Sequence, residues 1–223
     1  MQHDKTIIFA RHGETNFNIN KQIQDPIEPY LTTKGHMQAQ SVGKKIKEQG
    51  WQFDSVFCAD TTRTKETLTD IDLPNVTKNN SIHITQFLNE RFHKELVGKN
   101  KDNVSALVGV IKDRLSWELY FEGTDKSILT GRFPNNETLQ NVQTRVEKLM
   151  IQIYKSTAYY ILLIGSSIIN QYILEYMQYG SIGNQQVRDF KTGQILDFQK
   201  NNELRMVTLD GNNKIKIIES IDL

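Results

Sequence analysis

The chain has 223 residues, 38% hydrophobic and 24% charged, which suits a single domain large enough to bury its own core. Lysine and arginine number 27 against 26 aspartates and glutamates, and this near-neutral balance argues against a nucleic-acid or membrane-surface binder. One cysteine, Cys58, excludes both an internal disulfide and a thiolate zinc site.

Residues 7–10 (Ile7-Ile8-Phe9-Ala10) form the first short apolar run, without polar–apolar alternation, and predict a strand buried on both faces. No apolar stretch of signal-peptide length precedes it. A helix is expected from Thr33 to Gln49, because Ala39, Val42 and Ile46 share one face; Thr32 or Thr33 caps it and Gly50 stops it. Val56-Phe57-Cys58-Ala59 predicts a second buried strand, followed by a helix over about 61–70. A third helix is expected over 102–120, then a loop at 122–136, and the stretch 91–136 reads as an insertion or lid at the sheet edge. Leu139, Val142, Val146, Leu149 and Ile153 repeat at three and four and predict a core-facing helix. Tyr159 to Ile164 is the longest apolar run, far too short to span a bilayer, and predicts a third buried strand. A helix with Ile168, Ile169, Tyr172, Ile173 and Tyr176 inward follows it. Strands are expected at 194–198, 204–209 and 214–218, the last two joined by the turn Asp210-Gly211-Asn212-Asn213. Alternating buried strands and helices predict a three-layer α/β/α sandwich with a mostly parallel sheet, and the whole chain as one domain. A soluble, cytoplasmic protein is expected.

In such sheets ligands bind beyond the carboxyl ends of the strands. There stand Arg11-His12-Gly13-Glu14-Thr15, Asp60-Thr61-Thr62-Arg63 and Gly165-Ser166-Ser167. If the three strands are neighbours, a histidine lies between two guanidiniums. Arginine forks match phosphate oxygens, and a neutral histidine can attack phosphorus and carry the phosphoryl group. Gly13 would let the backbone come close to the phosphate.

Arg11-His12-Gly13-Glu14-Thr15 after a strand resembles the signature of the histidine phosphatase superfamily, the phosphoglycerate mutase-like fold. The likeness continues through Asn18, Gln24, Leu31-Thr32 with Gly35 and Gln38-Ala39, and Arg63 with Thr67. It extends through Leu88-Asn89-Glu90-Arg91, Gly98-Lys99-Asn100-Lys101 and Asn136-Glu137-Thr138-Leu139, in the family's order across residues 6–175. The resemblance implies that His12 accepts the phosphoryl group, Arg11 and Arg63 clamp it, and Asn18 touches it. It implies that Glu90 is the general acid/base, and that Arg91 and Lys101 hold the rest of a small phosphorylated metabolite. No cofactor or metal is implied.

The departure that matters lies after the third buried strand. The family places a second histidine in an S-H-G turn; here the turn reads Gly165-Ser166-Ser167, so Ser166 takes its place. The five histidines are His3, His12, His36, His83 and His93, so the C-terminal half holds none. A serine hydroxyl is a shorter, neutral donor to phosphate, and losing one preorganised donor costs about 10²–10³ in rate. Asp25, Glu28, Tyr30 and Lys94 also depart from the family pattern, and no arginine pair follows residue 101 as in mutases.

Each residue has a bland reading. His12 alone reads as readily as a histidine in a strand-end turn; the ordered motifs favour the site. Arg63, flanked by Lys65 and Glu66, could be a solvated helix residue, Glu90 a cap, and Arg91 and Lys101 ordinary surface bases. His36 and His83 read as surface histidines, and Cys58 as a small buried hydrophobe. Two classes of function remain. One is a metal-independent phosphomonoesterase of weakened activity. The other is a pseudophosphatase that binds a phosphoester or a protein partner. A mutase is a narrower third.

Overall fold

The computed structural model describes residues 4–24, 29–73, 76, 81–92, 94–101, 137–183, 187–188, 194–196, 199–201 and 203–222. The helix expected over 102–120 and the loop at 122–136 fall outside these residues, as does His93.

All described strands join one six-stranded sheet. In chain order the elements are β1 (Lys5–Arg11), α1 (Asn16–Ile19), α2 (Thr33–Glu48), β2 (Ser55–Ala59), α3 (Thr62–Ile71) and β3 (Ile82–Thr85). Then come α4 (Leu139–Lys155), β4 (Tyr160–Gly165), α5 (Ser167–Tyr179), β5 (Glu203–Leu209) and β6 (Ile215–Asp222). The spatial order is β3-β2-β4-β1-β5-β6. The first four strands run parallel, whereas β5 and β6 are antiparallel additions. The α/β sandwich with a mostly parallel sheet is therefore the fold. No helix among the described residues is long and apolar enough to cross a membrane.

Strand pleating divides the core into two layers. Ile7, Phe9, Phe57, Ile161 and Leu163 face α4 and α5, where they meet Val142, Val146, Leu149, Ile169 and Ile173. Ile8, Ala10, Val56, Cys58, Leu162 and Ile164 face α2 and α3, where they meet Val42, Ile46 and Ile71. Non-alternating apolar runs exist because both faces of each strand are covered.

The helix ends follow from local chemistry. Thr32 caps α2, its hydroxyl accepting from the Gly35 N–H at 3.0 Å. Gly50, one residue beyond the C-cap Gln49, sits at φ +66°, where the left-handed turn favours glycine. Thr138 caps α4 by accepting from the Asn141 N–H. The buried Lys5 ammonium donates to the carbonyls of Ser156 and Ala158, tying the start of β1 to the turn before β4; burial lowers its pKa.

Three expectations differ from the structure. The strand expected at 194–198 is not formed among the described residues: Ile195 makes only an isolated bridge to Arg188, and Phe198 lies outside them. The four-residue helix α1 and the edge strand β3 were not anticipated. His36 is only half solvated, with Nδ1 2.6 Å from Asp70 Oδ2, which joins α2 to α3. His83 is exposed and stacks on Phe57 at 4.7 Å between ring centroids.

Candidate active site

β4 lies between β1 and β2 in one parallel sheet, so the three carboxyl ends that carry His12, Arg63 and Ser166 open on the same edge. Arg11 is in register with Gly165, and the His12 N–H donates to the Gly165 carbonyl at 3.1 Å. The sheet ladder thus runs on into the site.

His12 is 2% exposed. Its Nδ1 lies 2.8 Å from the Gly13 carbonyl. A carbonyl can only accept, so Nδ1 carries a proton, and in the neutral ring Nε2 is the nitrogen with the lone pair. The Asn201 amide donates to the His12 carbonyl at 2.7 Å. His12 is held on both sides by backbone contacts, in the tautomer a nucleophile requires.

The rest of the first motif is architecture. A Cβ on Gly13 would come 2.3 Å from the Gly35 carbonyl oxygen, and one on Gly35 would come 2.1 Å from the Glu14 carbonyl oxygen. Both glycines are therefore required by the close approach of the loop to α2. The Glu14 N–H donates to Gln38 Oε1 at 2.8 Å, and the Glu14 carboxylate accepts from Thr32 and Lys34. Leu31 bridges Thr15. The spacing of Leu31, Thr32, Gly35 and Gln38 is thus the spacing needed to grip residues 13–15.

Arg63 is 2% exposed, so the solvated reading is excluded. Arg63, Thr67 and Ile71 lie four apart on the inner face of α3, while Lys65 faces out to Asp60. Thr67 Oγ1 donates to the Arg63 carbonyl at 2.7 Å and accepts from the Gly13 N–H at 3.1 Å, binding α3 to the histidine loop. An Arg63 terminal nitrogen lies 3.5 Å from Ser166 Oγ, the outer limit of a hydrogen bond.

Ser166 is the N-cap residue of α5 and 2% exposed, yet its hydroxyl makes no capping bond. Instead Glu90 Oε2 accepts from the Ile168 N–H in the first turn at 3.3 Å, while Oε1 accepts from the Arg91 N–H. The positive end of the helix favours a carboxylate there. Arg63 thus meets Ser166 directly, while His12 is bonded to Gly165 and Glu90 to Ile168, the residues one before and two after Ser166.

Arg11 donates to the Gln199 carbonyl at 2.9 Å, and Ser167 Oγ donates to the same oxygen. Gln199 is fully buried; its amide nitrogen donates to the Phe9 and Glu203 carbonyls and its oxygen accepts from Asn170. The segment 199–201 therefore straps the end of β1 to α5. Nothing in the periodicity of this polar stretch marks it.

The remaining candidates make structural contacts of their own. Asn18 Oδ1 accepts from the Thr15 N–H at 3.1 Å in the capping box of α1. Arg91 is 7% exposed and its Nε donates to the Glu137 carbonyl at 3.0 Å. Lys101 donates its N–H to the Lys21 carbonyl, within a segment that pairs with residues 21–23. Burial pushes the Cys58 thiol up to about 12, which makes it an inert core group.

Comparison with known proteins agrees with this geometry. Among curated proteins the chain is similar to the 2,3-bisphosphoglycerate-dependent phosphoglycerate mutase of Bartonella henselae, 29% identical over 143 residues. That match spans 64% of this chain and 65% of the relative. The same enzyme of Allorhizobium ampelinum is 35% identical over 105 residues, 47% of this chain and 49% of that one. Among solved structures, the alpha-ribazole phosphatase of Shigella flexneri superposes with a TM-score of 0.70 at 16% identity, over 98% of this chain and 96% of that one. Phosphoglycerate mutase of Bacillus anthracis gives 0.69 at 18%, over 99% and 93%. A mycobacterial glucosyl-3-phosphoglycerate phosphatase, solved with VO3, gives 0.67 at 14%, over 91% and 92%. The structural likenesses establish the fold alone. Residues 7–197 match the histidine phosphatase superfamily (branch 1), and the chain belongs to that family.

Proposed function

We propose that this protein hydrolyses a small phosphorylated metabolite, a phosphomonoester, through a phosphohistidine at His12, and does so slowly. The observation that carries the reading is the buried His12 with Nδ1 on the Gly13 carbonyl, the tautomer in which Nε2 is the nucleophilic nitrogen, at the same edge of the sheet as the buried Arg63. Nε2 attacks phosphorus as the bond to the ester oxygen breaks, and the Glu90 carboxyl gives that oxygen its proton. Water then attacks the phosphohistidine, passing its proton to the Glu90 carboxylate, and inorganic phosphate leaves. Arg11 and Arg63 hold the charge on the phosphoryl oxygens through both steps, with Asn18 at the rim, and Arg91 and Lys101 serve the remainder of the substrate. No step is routed through a metal or cofactor.

Ser166 supports the slow rate. Its hydroxyl, 3.5 Å from Arg63, supplies a neutral donor where the family resemblance implies a histidine, a difference of about 10²–10³ in rate. The same substitution is the observation behind a second reading, a pseudophosphatase that binds a phosphoester or a protein partner without turning it over.

Phosphate release from a panel of phosphomonoesters, run on the wild type, His12→Ala and Ser166→His, separates the two. The first reading expects slow release by the wild type, none by His12→Ala and a gain for Ser166→His. Unchanged release by His12→Ala overturns it. A silent wild type with an active Ser166→His variant establishes the second reading.

A further inference from the structure

We propose that Arg145, through its ion pair with Glu137, is the positioning residue that holds the Glu90 carboxylate at the N-terminus of α5; the acid role of Glu90 rests on the function proposed above. Arg145 projects from the second turn of α4, and the pair is largely buried, 13% and 19% exposed. Arg145 Nε and a terminal nitrogen meet the two Glu137 oxygens at 2.7 and 3.1 Å, a bidentate geometry. The other terminal nitrogen donates to the Phe87 carbonyl at 2.8 Å. Glu137 Oε2 also accepts from the Phe92 N–H at 3.2 Å, and the Glu137 N–H donates to the Phe92 carbonyl at 2.8 Å. The Glu137 carbonyl takes Arg91 Nε.

One ion pair therefore grips both ends of the segment 87–92, and Glu90 lies between the grips. Leu88, fully buried, anchors the inner side. The ladder of β3 ends at Thr85, and no sheet pairing among the described residues reaches Glu90. Its position depends on the clamp and on the Ile168 N–H. The clamp is separate from the bonds given above for His12, Arg11 and Arg63, which lead to β1, β4, α3, Ser166 and residues 199–201. The effect of breaking it falls on protonation of the leaving oxygen and not on phosphoryl binding.

The test has two arms, run on Arg145→Ala, Arg145→Lys and the double variant E137Q/R145Q, which leaves no uncompensated buried charge if Arg145→Ala fails to fold. The first arm is amide hydrogen exchange. Loss of the clamp raises exchange at Phe92, whose N–H Glu137 accepts. It also raises exchange at Arg91 and Ile168, whose N–H groups Glu90 accepts, each by about tenfold or more, with Tyr172 and Ile173 in α5 unchanged. The second arm compares an alkyl phosphate, whose leaving oxygen needs a proton, with 4-nitrophenyl phosphate, which needs none. In single-turnover phosphorylation of His12, read before the water step that also uses Glu90, the alkyl ester slows about 10²-fold, the nitrophenyl ester stays within about threefold, and Arg145→Lys recovers part of the difference. Unchanged exchange at Arg91 and Ile168 overturns the proposal, as does an equal loss on both esters. A wild type that turns over neither ester would refute the acid role of Glu90, and the exchange rates would still decide the clamp.

Discussion

Two regions meet at this site and are held in different ways. Arg11, His12 and Ser166 stand at the ends of adjacent parallel strands, and backbone hydrogen bonds continue the ladder from Gly165 to His12. Glu90 and Arg91 stand on an irregular segment secured mainly by side chains: the Glu137–Arg145 pair at its two ends and Leu88 beneath it. The histidine and its clamp inherit the rigidity of the core. Glu90, the acid/base group of the proposed function, is set by a separate, tunable device. On that reading phosphoryl binding and proton transfer are separable by mutation: backbone substitutions in the first region cost stability, whereas substitution of Glu90 costs activity alone.

Apart from the loss of turnover at His12 itself, the largest expected effect lies in the second region. Glu90→Gln lowers kcat on an alkyl phosphate by about 10²–10⁴ while leaving stability within about 1 kcal/mol, checked by steady-state kinetics beside thermal unfolding. Equal damage to stability would erase the distinction. Gly35→Ala is the converse. Its Cβ would sit 2.1 Å from the Glu14 carbonyl oxygen, with backbone on both sides and nothing flexible to yield. A loss of about 3 kcal/mol in chemical denaturation follows. Asn201→Ala removes the donor to the His12 carbonyl and costs about 1 kcal/mol.

The smallest effect near neutral pH is at Cys58. Its thiol is raised to about 12, so the folded chain keeps a proton that the unfolded chain releases above about 9. Between those values the contribution of this thiol to stability falls as pH rises, and Cys58→Ala flattens that part of the curve. Iodoacetamide labels Cys58 only as fast as the chain opens.

Much of this was legible in the sequence, and the reasons for the rest are physical. The runs 7–10, 56–59 and 161–164 announced themselves because both faces of each strand are covered, whereas Tyr159 and Tyr160 at the start of the third are exposed. β3 did not, because Ile82-His83-Ile84-Thr85 is an edge strand with exposed members and mixed polarity. The residues of the histidine cleft could be picked out by their place just after strands. Arg63 was ambiguous because Lys65 and Glu66 made its surroundings look wet; only the spacing to Thr67 and Ile71 marks the inner face. Gln199, Asn201 and Arg145 were invisible as site-forming residues. Their effect comes through carbonyls and carboxylates far away in the chain, and pattern within a segment does not encode such contacts.

The most direct test of the account is to quench the protein after mixing with a phosphomonoester and locate any phosphoryl group by mass spectrometry. The account predicts an acid-labile, base-stable phosphoryl group on the peptide holding His12, absent in His12→Ala and more abundant in Glu90→Gln if water attack becomes limiting. Turnover with no phosphoenzyme, or with the group on any other residue, would contradict it.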